Sequence, residues 1–132
     1  MRIRIIRIAL YVMKKITDPR HLRRIAVVKE LFTYSFRPQK LHEETTRQVV
    51  EHLNTIDEHI KKYASQWPID KIGKIDLAIL RLSVYELTVT RNEPVKVVID
   101  EAVEIAKEFG NDASPKFING VLGTVVKWIQ KK

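Results

Sequence analysis

The sequence predicts an all-α protein, and three features support this fold class. Five prolines punctuate the 132 residues, and each one sits where a helix should begin or has just ended. Between the prolines, apolar residues recur at helical spacing. Only the run RIRII near the N-terminus alternates as a strand would. We therefore expect a bundle of about six helices, with room for an extra helix at the N-terminus.

The first 18 residues form an N-terminal extension whose role the sequence leaves open. The apolar run IALYVM is interrupted by Lys14 and Lys15, so it is too short for a signal peptide or a membrane span. Three interpretations remain: an additional docked helix, a basic surface-binding tail, or translation that starts at Met13. We favour a docked helix or an alternative start over a membrane role.

The remaining residues, 19–132, are expected to form a single helical domain, because no linker or repeat divides them. The predicted helices span residues 19–36, 41–53, 56–66, 69–90, 98–109 and 114–130. Gly110 follows the fifth of them as a C-terminal cap. The helix at 69–90 is apolar on two sides, with Asp76 and Ser83 interrupting one of them, so it is either central to the core or shared with a partner.

The last helix begins with the stretch SPKFINGVLG. Ser114 and Pro115 are good start signals, because a Ser side chain can accept from an unpaired backbone N–H and Pro fits the first helical position. Gly120 costs a helix about 1 kcal/mol relative to Ala. We expect it to lie on the inner side, where it lets a neighbouring helix approach and Asn119 bonds that neighbour's backbone. The alternative is that this turn faces a partner.

The charge is strongly uneven along the chain. The whole chain carries +8, yet residues 1–40 hold eleven Lys/Arg against two acidic residues, which leaves the remainder slightly negative. A basic end on a near-neutral body is typical of an anion-binding face, and nucleic acid is the commonest large anion. The alternative is a charge run that only solubilises the protein.

Catalytic chemistry is poorly supported by the sequence. There is no Cys, Gly-rich phosphate loop or nucleophile elbow, and Thr46 stands where the second His of a zinc-protease motif would be. His52 and His59 are better explained as solvated histidines than as a metal site. The carboxylates near Asp100 suit the start of a helix. We expect no enzyme, no catalytic residue, no metal and no cofactor.

Several runs together resemble the NusB family of transcription antitermination factors. They are WPIDKIGKIDLAILRLSVYEL, PVKVVIDEAVEIAKEFG and SPKFINGVLG, preceded by RHLRRIAVVKELFTYSF, which is similar to the basic first helix of that family. The resemblance covers residues 20–130 in the family's order. Each run alone is weak, but the set is specific.

The resemblance implies a cytoplasmic, helical RNA-binding protein that pairs with NusE, a small-subunit ribosomal protein. In the family the pair binds boxA, a single-stranded RNA element. With NusA and NusG it helps RNA polymerase pass terminators in ribosomal RNA operons. The residues implied to face RNA are Arg20, His21, Arg23, Arg24, Lys116 and Phe117. The residues implied to face NusE are Phe32, Asp70, Asp76, Ile79 and Ser83.

The sequence also departs from the family pattern. Only RPQK fills the place of a further helix after the first one. Ala113 aligns with an Asp that is associated with RNA binding in some members, and Asp112 falls one place earlier. Two alternative functions remain: an RNA-binding accessory domain like that of rRNA cytosine methyltransferases, or a protein-only adaptor. We expect no catalytic domain after Lys132, which argues against the accessory domain, and the basic segment argues against the adaptor.

Overall fold

The structure is a computed structural model that describes residues 2–131, apart from the side chains of residues 2, 3, 11 and 14–17. The described residues form α-helices and short helical turns without any strand, so the all-α prediction is confirmed. The helices are α1 (Arg2–Thr17), α2 (Pro19–Tyr34), α3 (Glu44–Glu51), α4 (Leu53–Tyr63), α5 (Lys74–Tyr85), α6 (Val95–Phe109) and α7 (Ser114–Gln130).

Helix α5 lies at the centre of the bundle. It contacts α2, α3, α4, α6 and α7, and eight of its residues, from Leu77 to Tyr85, are buried. Leu80 and Val84 are fully enclosed. Burying a side chain of this size contributes about 1.5–3 kcal/mol, which is why a helix apolar on most of its circumference takes the central position.

The predicted helix at residues 69–90 is interrupted at both ends. Ile69–Lys71 form a 3₁₀ turn, Ile72 and Gly73 are extended, and α5 begins only at Lys74. After α5, Glu86–Thr90 form a π turn that ends where Arg91 adopts a left-handed conformation with φ of 51°. The apolar spacing continues through these breaks, so periodicity alone predicted one continuous helix.

The N-terminal extension is helical, and RIRII lies inside α1 rather than in a strand. Helix α1 contacts α2, but the large apolar side chains of Ile5, Ile6, Ile8 and Leu10 are exposed. These four side chains therefore add little apolar burial to the core, although α1 is the additional N-terminal helix for which the sequence left room.

The remaining boundaries lie within a few residues of the predicted ones. Helices α3 and α4 are separated at His52, and α6 begins three residues early because Pro94 caps it. Glu30 of α2 fixes the loop ahead of α3 by accepting the backbone N–H groups of His42 and Glu43 at 2.7 and 3.0 Å. Burial opposes ionisation of Glu30, yet these N–H groups lower its pKa.

Gly110 caps the C-terminal end of α6, as predicted. A Cβ at this position would collide with the Ser114 hydroxyl and lie 2.8 Å from the Ala106 carbonyl oxygen. The turn between α6 and α7 therefore requires glycine, which places the first turn of α7 tightly against the end of α6.

Candidate functional site

The basic residues of the first turns of α2 are held by a well-formed helix start. Asp18 is the N-cap and accepts the Arg20 backbone N–H at 2.9 Å, and this hydrogen bond lowers the pKa of the Asp18 carboxyl. Arg20 and Arg23 are exposed and line an open cavity of about 300 Å³ beside α3 and the π turn. Arg20 Nη1 also lies 3.6 Å from Glu93 Oε1. Both arginine side chains remain exposed, although Arg20 Nε also lies 3.7 Å from Asp18 Oδ1.

His21 and Arg24, which were predicted to face RNA as well, are buried and paired. His21 Nδ1 lies 2.5 Å from Glu101 Oε2, and Arg24 binds both carboxylate oxygens of Glu86 at 2.8 and 3.0 Å. Burial works against the charge of Arg24, but the Glu86 carboxylate outweighs it and raises the pKa of the guanidinium. Both side chains therefore anchor α2 to α6 and the π turn, and would reach RNA only if these pairs opened.

The start of α7 differs in detail from the prediction. Ala113, not Ser114, is the N-cap, and Ser114 is buried with its Oγ accepting the Asn111 N–H at 3.0 Å. The Asn111 side chain accepts the Ala113 N–H at 2.9 Å. Lys116 is exposed and Phe117 is half-buried against the core. The turn thus presents Lys116 and part of the Phe117 ring to solvent.

The inner packing role predicted for Gly120 is wrong. Gly120 is exposed, and a Cβ built on it would meet nothing within 4 Å. Asn119 is exposed too, so the expected bond to a neighbouring helix backbone has no support. Gly120 instead lines an open groove of about 630 Å³ between α7 and the segment that follows α4.

The two groups of predicted RNA residues both lie against α6. His21 reaches Glu101, while Lys116 lines a cavity of about 530 Å³ with Asp100 and Glu104 of the same helix. Acidic residues of α6 therefore adjoin both groups of predicted RNA residues.

The residues predicted to face NusE do not all lie on the surface. Ile79 is 1% exposed and Ser83 is 3% exposed, with Ser83 Oγ donating to the Ile79 carbonyl oxygen at 2.8 Å. Their own chain covers both, so the interpretation of Ser83 as a notch that faces a partner does not fit this structure. Asp70 is exposed, and Phe32 and Asp76 are half-buried.

Asp76 stands out because one of its carboxylate oxygens is buried without a hydrogen-bond partner among the described residues. The side chain lines a cavity of about 320 Å³ together with Lys74 and Asn111. A buried polar atom without a partner costs about 1–3 kcal/mol, and an external donor would remove that cost.

Two residues that the sequence reasoning missed join Phe32 to Asp76. Phe36 is 64% exposed, and its ring meets that of Phe32 edge to face at a centroid distance of 5.1 Å. Lys74 Nζ lies 5.9 Å from the Phe36 ring centroid. The spacing of four residues between Phe32 and Phe36 was the signal that could have identified this pair. We call Phe32, Phe36, Lys74 and Asp76 the aromatic–acidic face.

Within the described part of the chain, no cluster of three or more His, Asp or Glu residues could hold a metal ion. None of the described helices is long and apolar enough to cross a membrane.

Comparison with known proteins gives a consistent result. The sequence model of the NusB family matches residues 25–127. The transcription antitermination protein NusB of a Nitratiruptor species is 56% identical over 81 residues, which span 61% of this chain and 58% of that protein. The chain therefore covers less than two thirds of the length of such relatives.

Two solved structures share the fold. One is NusB of T. maritima, with a TM-score of 0.75 and 33% identity, and the match covers 83% of this chain and 92% of that one. The other is described as antitermination factors NusB and NusE in complex with double-stranded RNA. It matches with a TM-score of 0.72 and 22% identity over 84% of this chain and 99% of that one, a likeness in fold alone.

Proposed function

Because the chain belongs to the NusB family, we propose that it is a non-catalytic transcription antitermination factor that binds RNA together with NusE. The RNA is a boxA-like single strand, and the assembly includes RNA polymerase, NusA and NusG on ribosomal RNA operons. The observation that carries the RNA part is the exposure of Arg20 and Arg23 beside the start of α2, with Lys116 exposed at the start of α7.

The mechanism is recognition by charge and by ring stacking. Arg20, Arg23 and Lys116 supply cations for phosphates, and Phe117 offers part of a ring for a base. His21 and Arg24 act behind them, because their pairs with Glu101 and Glu86 set the orientation of the α2 turn. Arg20 and Arg23 are thus displayed on a fixed helix end.

The NusE part of the proposal rests on the aromatic–acidic face. Exposed aromatic rings are enriched at protein interfaces, and Phe36 lies near Lys74, which lines one cavity with Asp76. A donor from NusE would satisfy the unpaired oxygen of Asp76. Binding of NusE on this side leaves the α2 turn free for RNA, so one molecule can hold both partners.

The test is a titration of fluorescently labelled RNA with and without purified NusE. We expect boxA-like single strands to bind more tightly than a scrambled strand, and NusE to increase that affinity. A duplex of the same sequence is a necessary arm, because the fold relative was solved with double-stranded RNA. Equal affinity for all three RNAs, unaffected by NusE, would contradict boxA recognition. If none of the RNAs binds, the protein-only adaptor remains as the alternative function.

A further inference from the structure

The groove beside α7 is lined by aromatic residues from two separate elements. Tyr63 and Trp67 come from the end of α4 and the loop after it, and Phe117 comes from the first turns of α7. Its volume of about 630 Å³ lies in the range of small-ligand sites. The Trp67 backbone N–H donates to the Ala64 carbonyl oxygen at 2.9 Å, and Pro68 follows it, so the loop that carries the ring is constrained.

Trp67 is 54% exposed, although Trp is on average one of the more buried residue types. The large ring gives the fold much less apolar burial than it would inside the core. Trp128, the other tryptophan, is half-buried and packs near Tyr63 with a centroid distance of 5.8 Å. Trp67 is therefore the more exposed of the two tryptophans, and it lines the groove.

Gly120 leaves the backbone of α7 without a side chain where the helix borders this groove. It lies inside α7, where glycine costs about 1 kcal/mol relative to Ala, and the surrounding atoms would tolerate a Cβ. Nothing within the described part of the chain explains the glycine. A backbone left bare at the groove surface allows a flat ligand to come closer than a side chain would permit.

The charges around the groove suit a ligand that is flat and anionic. Lys116 lines the groove, and Lys62 lies close by, with its Nζ 5.4 Å from the Tyr63 centroid and 4.9 Å from the Trp128 centroid. Asp112 is the acidic residue among those that line the groove. Rings for stacking, with lysines for phosphate, are the combination used to bind single-stranded nucleic acid.

We propose that this groove binds one unpaired base of single-stranded RNA, stacked on Trp67 and Phe117 and lying against the bare backbone of Gly120, with its phosphate at Lys116. The inference rests on the proposed RNA function and adds Trp67 and Gly120 to it as binding residues. It also gives a physical reason to prefer single strands, because the bases of a duplex are already stacked on each other.

Trp67 can report on its own environment. The sequence has two tryptophans, so Trp128→Phe leaves Trp67 as the sole indole fluorophore. The circular dichroism spectrum and the thermal transition of this variant should first be compared with those of the parent protein, and we expect both to be unchanged. We expect unlabelled single-stranded RNA to quench the emission with the same midpoint that anisotropy gives for labelled RNA. RNA binding without any change in Trp67 emission would overturn the inference and leave the proposed function intact.

Substitutions of Trp67 and Gly120 test the contributions of the two sides of the groove, the loop after α4 and helix α7. Trp67→Ala should weaken single-strand binding by about fivefold to a hundredfold, the loss that corresponds to one stacked base, and Trp67→Phe should recover part of it. Gly120→Ala should weaken RNA binding while its melting temperature stays the same or rises. That combination separates ligand contact from a structural role.

Gly123→Ala is the matched control, because Gly123 lies on the same helix, also has nothing within 4 Å of an added Cβ, and does not line the groove. It should leave RNA affinity unchanged. Parental affinity in both Trp67→Ala and Gly120→Ala would overturn the inference. If the parent protein itself binds no RNA, the proposed function and the groove assignment both fail, whereas parental affinity in the two variants overturns the groove assignment alone.

Discussion

Charged residues at the start of α2 divide into two roles according to burial. Arg20 and Arg23 are exposed, whereas Arg24 is nearly enclosed and bound to Glu86 through two hydrogen bonds. Breaking a buried pair by removing one partner costs about 3–5 kcal/mol, because the other charge is left without compensation. Contact with RNA therefore has a lower free-energy cost for Arg20 and Arg23 than for Arg24, which would first have to leave Glu86.

At the residue scale, Asp76 gives the sharpest prediction about the protein partner. Asp76→Lys should abolish co-purification with NusE, because it replaces an unpaired acceptor with a cation at the place where we expect a donor. Pull-down with tagged NusE measures the loss. The helical circular dichroism spectrum should stay intact, since Asp76 makes no hydrogen bond through its buried oxygen to any described residue.

Asp100→Lys is a suitable control, because it makes the same charge change at an exposed position on α6. It should retain NusE. If Asp76→Lys still binds NusE, the partner docks elsewhere. If it unfolds, Asp76 is structural and the interface assignment is wrong.

The elements were predictable from the sequence to different degrees. The apolar spacing and the prolines identified the starts of α2 and α7, because Pro19 and Pro115 lie in the first turn of each helix. The start of α6 was predicted three residues too late, because the sequence reasoning did not use Pro94 as its N-cap. The break at Gly73 and the π turn at Glu86–Thr90 could not be predicted. Neither one changes the spacing of the apolar residues in the sequence, and that spacing was the signal used. Such details depend on tertiary packing.

Helix α1 is the element whose removal we expect to matter least. Among its described apolar residues, Ile5, Ile6, Ile8 and Leu10 are exposed, so the deletion of these four removes little buried area. A protein that begins at Met13 should stay helical, retain a cooperative thermal transition and bind RNA. Differential scanning calorimetry of both lengths measures this directly. Loss of the cooperative transition would show that the extension is part of the domain.

At the scale of the whole molecule, the candidate site depends on long-range packing that the sequence could not show. Trp67 and Phe117 lie far apart in the chain, and only the fold brings them to one groove. The burial of Ile79 and Ser83 likewise follows from the central position of α5. By contrast, the charge excess of residues 1–40 was visible directly, because charge adds up along a sequence whatever the fold.

That charge excess leads to a prediction about salt dependence. Each phosphate contact with a single strand contributes about 0.7 to the slope of log affinity against log salt, because bound cations are released. Arg20→Glu combined with Arg23→Glu should therefore weaken RNA binding and reduce the slope by about 0.7 or more, the value for one lost phosphate contact. Arg24 is left unchanged, since a carboxylate in its place would lie beside Glu86 and disturb the fold.

The control for this prediction must change the net charge equally at another place. Arg37→Glu combined with Lys40→Glu does so at exposed positions in the loop before α3. Fluorescence anisotropy at several salt concentrations gives the slope for each variant. If both double variants flatten the slope equally, binding responds to the net charge of the molecule and not to a defined surface. If only the loop variant does, the phosphates follow the loop, and the start of α2 is not the RNA site. A reduced slope in the α2 variant alone would place the phosphates at Arg20 and Arg23, as the exposure of those side chains leads us to expect.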